Sequence, residues 1–107
     1  MSELFTSVAD MAAPIQNPES VPMIAERLIA TRQAMGLHQA AFCRLIGVSP
    51  QAWSNYESGR NRINHDQALK LCKATGVSLD WIYRGLTSGL PVNLAMALQA
   101  LRDNQKR

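Results

Sequence analysis

The sequence predicts an all-α protein, and three observations support that fold class. Apolar residues recur at helical spacing in several short segments, and no segment alternates apolar and polar residues as a strand does. Serine, proline and glycine residues also divide the chain at intervals typical of short helices. The 107 residues, 47% apolar and 18% charged, suffice for one globular domain with tails but not for two independent cores.

The first predicted helix follows residues 1–19, which contain two prolines, lack sustained periodicity and are expected to form a flexible N-terminal arm. Ser20 is a predicted N-cap, and Pro22 lies in the first helical turn, where proline is favoured. Gly36 predicts the end of this helix. One apolar face supports the assignment, formed by Ile24, Leu28 and Met35.

The second and third helices are separated by the short connection Gly-Val-Ser. The apolar residues of segment 39–46 predict the second helix, and Gly47 predicts its end. Ser49 followed by Pro50 predicts the start of the third helix, because a hydroxyl cap and a proline at the first helical position favour initiation. We expect the third helix to end near Gly59.

Two more short helices follow in the same domain. Asn64 and the glutamine three residues later resemble a capping box, which predicts a fourth helix that ends at Gly76. Ser78 is the predicted cap of a fifth helix, and Gly85 is its predicted end.

The last predicted helix lies in a separate C-terminal segment, residues 87–107, and begins at Pro91. Its apolar stripe carries no charge and consists of Leu94, Ala97, Leu98 and Leu101. Such a stripe is compatible with pairing to a second copy of the chain, which is the dimer hypothesis. It is equally compatible with folding back onto the first and fifth helices.

Charge is distributed unevenly along the chain. Residues 1–22 carry −3, residues 23–86 carry +4 and residues 87–107 carry +2. A basic middle segment favours a polyanionic partner, because neutralising phosphates releases counterions. A solvated basic surface explains the same charges equally well.

Several other protein classes are disfavoured. No run of eighteen apolar residues is present, and the first ten residues contain no base, so neither a membrane span nor a secretory signal is predicted. Cys43 and Cys72 are too few for a disulfide framework and lack metal-ligand spacing, which favours the reducing cytoplasm. No phosphate-binding glycine loop or nucleophile elbow occurs. We therefore expect no enzymatic activity, cofactor or metal.

The most specific pattern surrounds Gly47, where positive φ would let two short helices cross steeply. Residues 36–60 read GLHQAAFCRLIGVSPQAWSNYESGR, and this segment resembles the helix-turn-helix of phage repressor and Cro proteins. Residues 76–85 are similar to the closing helix of that family. The resemblance covers residues 23–86, within a predicted domain of residues 20–86. It implies a five-helix lambda-repressor-like domain, here with an additional C-terminal helix.

The resemblance also implies double-stranded DNA as the partner. Gln51 and Asn55 lie one turn apart on the third helix, opposite Trp53 and Tyr56, and amides can bond the N6 and N7 edge of adenine. A solvated polar face is the alternative. Further base contacts are predicted for Ser54 and Ala52, and phosphate contacts for Gln39, Ser49, Arg60, Asn61 and Arg62.

The same resemblance predicts a buried ion pair between Arg32 and Glu57, which would orient the third helix rather than contact bases. Three departures from the family pattern also carry expectations. His38 is a weak helix cap, and Thr31 and Thr75 stand where leucine is frequent, which should thin the core.

Two functional hypotheses follow from the sequence. The first is a sequence-specific DNA-binding transcriptional regulator, a repressor that binds a palindromic operator as a homodimer. The second is an antitoxin-like or adaptor module whose main role is binding a small protein partner. The acidic N-terminal segment and the apolar C-terminal stripe motivate the second hypothesis.

Overall fold

The computed structural model describes residues 17–105, apart from the side chain of Gln105. These residues form six helices and no strand, which confirms the all-α class and the five-helix arrangement with an added sixth. The helices are α1 (Val21–Ala34), α2 (Gln39–Ile46), α3 (Pro50–Glu57), α4 (His65–Thr75), α5 (Leu79–Arg84) and α6 (Val92–Gln105). Most of the predicted arm, residues 1–16, lies outside the described part of the chain.

Local capping explains where the helices begin. Four predicted N-caps each accept a hydrogen bond from the backbone N–H three residues later, namely Ser20, Ser49, Asn64 and Ser78. His38 makes no side-chain cap hydrogen bond, as expected for a weak cap. The capping box predicted at Asn64 is only half formed, because the Oε1 atom of Gln67 is buried and has no hydrogen-bond partner among residues 17–105.

α1 organises the bundle. It packs against α3, α5 and α6, while α2 packs against α3 and α4, and α4 against α5. An aromatic group fills the centre of the helix-turn-helix: the ring centroids of Phe42 and Trp53 are 5.1 Å apart, and those of Trp53 and Tyr56 are 6.3 Å apart. Both distances lie in the favourable range for aromatic pairs, so α3 is anchored by its inner face.

The apolar stripe of α6 folds back onto the domain. Leu94 and Leu98 are 7% and 8% exposed, Ala97 and Leu101 are half-buried, and α6 packs along α1. Of the two sequence-based alternatives, the structure favours folding back, and the helix that α6 packs against is α1. The dimer hypothesis needs correction at Leu94 and Leu98, which bury their apolar surface within their own chain, whereas a dimer role for Ala97 and Leu101 stays a prediction.

Thr31 has a role in the core that was not predicted from the sequence. Its side chain is fully buried, and its hydroxyl donates to the Arg27 carbonyl at 2.7 Å and accepts from the Trp81 indole nitrogen at 2.9 Å. The hydroxyl of Thr75 likewise donates to the Leu71 carbonyl at 2.8 Å. At Thr31, the smaller side chain supplies the buried acceptor that a tryptophan N–H requires.

Arg27 is a second buried polar residue of α1 and is only 8% exposed. Its Nε donates to the carbonyl of Ile82 at 3.0 Å, and its Nη2 donates to the carbonyl of Pro18. Burial lowers the pKa of this guanidinium below its ordinary value, and the charge of Glu26 partly opposes that shift. Arg27 therefore joins the segment before α1 to α5.

Candidate nucleic-acid interface

The turn between α2 and α3 has the geometry that places a second helix across a first. Gly47 has a φ of +79°, a conformation that favours glycine, and ends α2. Val48 is 5% exposed and fills the angle between the helices, while the Ser49 hydroxyl accepts from the backbone N–H of Ala52 at 3.2 Å. The Nζ of Lys70 donates to the Gly47 carbonyl at 3.2 Å, which links α4 to the turn.

α3 has two chemically different faces. Its inner face consists of Trp53, which is fully buried, together with Tyr56 and Glu57. The side chains predicted to contact bases lie elsewhere on the helix: Gln51 and Ser54 are exposed, and Ala52 and Asn55 are half-buried. The helix thus buries its aromatic side and turns short polar side chains toward solvent, an arrangement suited to the major groove.

The end of α3 is closed by the turn that follows it. Gly59 has a φ of +79°, and the Asn55 carbonyl accepts from the backbone N–H groups of Arg60 at 3.0 Å and Asn61 at 3.2 Å. The Nη1 of Arg60 also donates to the Oδ1 of Asn55 at 3.0 Å. The predicted base-contacting Asn55 and the predicted phosphate-binding Arg60 are therefore joined in the unbound protein.

The remaining phosphate candidates are spread over two sites. Asn61 and Arg62 are exposed beside Arg60 in the loop after α3. The Nη1 of Arg62 donates to the backbone carbonyl of Glu19 at 2.7 Å, so this loop touches the segment that precedes α1. Ser49 caps α3, and Gln39 begins α2 on the other side of the turn.

A single carboxylate connects the helices behind this surface. Glu57 accepts from the Nε of Arg32 at 2.6 Å and from its Nη2 at 3.2 Å, forming an ion pair in which the side chains of Arg32 and Glu57 are 14% and 7% exposed. It also accepts from the Nε2 of Gln39 at 2.8 Å and from the indole nitrogen of Trp53 at 2.6 Å. Three helices, α1, α2 and α3, therefore share this cluster.

The Arg32–Glu57 pair was predicted from the sequence, but the other two donors to Glu57, Gln39 and Trp53, were not. The spacing of Trp53 and Glu57, four residues apart on one helix, was the available signal for one of them. Gln39 lies far from Glu57 in sequence, and no local pattern indicated their contact. Its role as a phosphate ligand stays a prediction, and the bond to Glu57 fixes where its amide lies.

The cysteines and the possible metal ligands are the other candidate functional groups. Burial raises the pKa of the Cys72 thiol, and burial together with the charge of Glu57 raises that of Cys43, so both favour the unreactive thiol form. Residues 17–105 hold no group of three or more His, Cys, Asp or Glu side chains arranged to bind a metal. In the same part of the chain, no helix combines the length and apolar character needed to cross a membrane.

Comparison with known families agrees with this geometry. The profile described as helix-turn-helix matches residues 28–82, about half of the chain. The chain belongs to the helix-turn-helix family. Its type is that of the repressor and Cro proteins, whose members are DNA-binding regulators rather than enzymes. In this helix-turn-helix protein, the matched region includes the turn at Gly47, all of α3 and the ion pair behind it.

Two curated relatives have regulatory names. One is an uncharacterized transcriptional regulator in the ATPase CF(0) region of Rhodospirillum rubrum, 37% identical over 68 residues, which cover 64% of this chain and 63% of that protein. The other is repressor protein C2 of Salmonella phage P22, 33% identical over 63 residues, which cover 59% of this chain and 29% of the repressor. The matches span less than two thirds of either relative, and no solved structure gives a significant match.

Proposed function

We propose that this helix-turn-helix protein is a sequence-specific transcriptional regulator that represses by occupying its operator. The observation that carries the proposal is the division of α3, whose aromatic side is buried while Gln51 and Ser54 are exposed. Both relatives carry regulatory names, and one is a repressor. Because they come from a bacterium and a phage, we place its action in the cytoplasm, where such DNA lies.

The contacts divide into base and phosphate classes. Gln51 and Asn55 contact base edges in the major groove, with Ser54 and Ala52 beside them. The loop after α3 contacts phosphates at one end of the helix. At the other end, beside the turn between α2 and α3, the amide of Gln39 and the start of α3 at Ser49 contact a second group of phosphates. The candidates in the loop are Arg60, Asn61 and Arg62. The charge of +4 over residues 23–86 supports this assignment.

We further propose that the protein binds a palindromic operator as a homodimer. One recognition helix covers only a few base pairs, and two half-sites spaced by about one helical turn (~34 Å) supply the rest. The buried leucines of α6 do not form the dimer contact, but Val92 and Met96 on the same helix are 75% and 67% exposed.

Selection of bound fragments from a random duplex library tests the proposal. We expect one enriched palindrome, and Gln51→Ala should relax the preference at one position in each half-site, at a cost of about 1–3 kcal/mol in base discrimination. Gln33→Ala is the matched control, because Gln33 is an exposed glutamine on α1, outside the turn and α3. An unchanged preferred sequence and affinity for Gln51→Ala would refute the role of that residue.

The exposed side chains of Val92 and Met96 also favour a second candidate function, binding of a small protein partner. In that case the protein is an antitoxin-like or adaptor module. Failure to bind any duplex in a salt-sensitive manner, together with stable co-purification of a small protein, would favour this candidate over the repressor.

A further inference from the structure

We propose that Arg60 sets the base preference of Asn55, so that the end of α3 selects guanine rather than adenine. The inference rests on the proposed DNA-binding function and deepens it by assigning a base class to one contact. It revises the adenine preference expected for Asn55 from its residue type alone. It also gives Arg60 a part in specificity besides any phosphate contact.

The hydrogen bond between the two side chains fixes the orientation of the amide. The Nη1 of Arg60 lies 3.0 Å from the Oδ1 of Asn55. A guanidinium has donors and no acceptor, so the atom it meets must be the amide oxygen, and the amide nitrogen lies on the other side. The bond is charge-assisted, which makes it stronger than a bond between neutral groups.

The backbone brings the two side chains together. Because Gly59 adopts a φ of +79°, the chain reverses after α3, and the backbone N–H of Arg60 donates to the Asn55 carbonyl at 3.0 Å. The Ser58 hydroxyl donates to the same carbonyl at 3.1 Å. Asn55 is half-buried in the last turn of α3, so its amide has less rotational freedom than an exposed asparagine.

The free amide nitrogen of Asn55 is a donor, so it suits a base edge that offers hydrogen-bond acceptors. Bidentate contact with adenine needs the amide oxygen to accept from the N6 amino group while the amide nitrogen donates to N7. Here Arg60 takes one of the two lone pairs of that oxygen, and its positive charge opposes the approach of another N–H donor to the second. The joined pair therefore presents donors. Guanine offers two acceptors in the major groove, N7 and O6, and is the best match.

The experiment compares sequences selected by the full chain and its variants, with affinities measured on duplexes that differ at one base pair. The position contacted by Asn55 is the one where Asn55→Ala relaxes the preference. We expect the unmodified protein to prefer guanine there. Arg60→Ala frees the Oδ1 atom, so the preference should shift toward adenine by about tenfold in relative affinity. Arg60→Lys keeps a donor and should retain guanine.

Arg62→Ala is the matched control, since it removes the same charge two residues away from a side chain that bonds the Glu19 carbonyl instead. It should weaken binding to all duplexes alike and leave the base preference unchanged. In an Asn55→Ala background, Arg60→Ala should no longer alter the preference. The inference is overturned if Arg60→Ala keeps the original preference. A protein that binds no duplex refutes the proposed function itself, a result distinct from unchanged specificity.

Discussion

Arg27 and Arg32 lie five residues apart on α1, and both extend into the protein interior, yet their partners differ in kind. Arg32 meets the carboxylate of Glu57 with two of its nitrogens and the Leu37 carbonyl with a third. Arg27 bonds two backbone carbonyls, those of Ile82 and Pro18. One arginine is therefore neutralised by a salt bridge, whereas the hydrogen bonds of the other go to backbone dipoles.

The different partners of Arg27 and Arg32 give the two residues different structural roles within α1. The Arg32–Glu57 contact holds the last residue of α3, the helix proposed to contact DNA, against α1. The Arg27 contacts join α1 to α5 and to the segment before α1, away from α3. Within residues 17–105, Arg27 forms no salt bridge, and the lowered pKa of Arg27 reflects the cost of burying its charge. We infer that Arg27 stabilises the scaffold and Arg32 orients the interface.

The largest effect is expected from Arg32→Ala. It leaves the nearly buried Glu57 carboxylate without its counter-charge, and such losses typically reduce the free energy of unfolding by about 3–5 kcal/mol. Urea denaturation followed by circular dichroism measures this. Arg84→Ala is the control, because its ion pairs with Asp80 and Glu19 are both solvent-exposed and should each contribute less than about 1 kcal/mol. Equal losses in both variants would contradict a structural role for the Glu57 cluster.

A smaller effect is expected from Arg27→Met, which keeps most of the aliphatic packing but removes the donors to two carbonyls. The unsatisfied acceptors should cost about 2–3 kcal/mol in the free energy of unfolding. Since α3 is untouched, DNA affinity should be unchanged under conditions where the variant is folded. Arg102→Met is the control, as Arg102 is an exposed arginine on α6 that lines the same surface cavity as Arg27. A selective loss of DNA affinity in Arg27→Met would remove the distinction between the two arginines.

The smallest effect is expected from Thr31→Val, one turn from Arg27. Valine has nearly the same shape as threonine but leaves the Trp81 indole N–H without its acceptor, which should cost about 1–2 kcal/mol of unfolding free energy. Thr31→Ser retains the hydroxyl and, apart from a lost methyl group, should preserve the bond. If the melting temperature of Thr31→Val matches that of the unmodified chain, the hydrogen bond does not stabilise the fold.

Local signals explain why the helices could be predicted from sequence. Caps such as Ser49 and Ser78 act on backbone groups three residues away, and the positive φ of Gly47 is a property of one residue. The Arg32–Glu57 pair came from the family resemblance, since the two residues lie on different helices. The placement of Gln51 on the outward side of α3 followed from helical periodicity alone.

Contacts between distant residues could not be predicted in the same way. The acceptors of Arg27 are backbone carbonyls, which every residue has, so no side-chain pattern identifies them. The bonds from Gln39 to Glu57 and from Trp81 to Thr31 span 18 and 50 residues. The stripe of α6 posed a different problem: an apolar face has the same sequence whether it packs on its own domain or on a second copy.

The packing of α6 on α1 determines which residues must be kept when this helix-turn-helix domain is transferred to another protein. The family match ends at residue 82, whereas Leu94 and Leu98 complete the same interior as Ile24 and Leu28. A chimaera or shortened chain that contains only the matched residues would lack α6 and would expose to water the apolar surface of α1 that α6 covers. Transplanting the specificity of this protein therefore means moving the motif together with the helix that covers it.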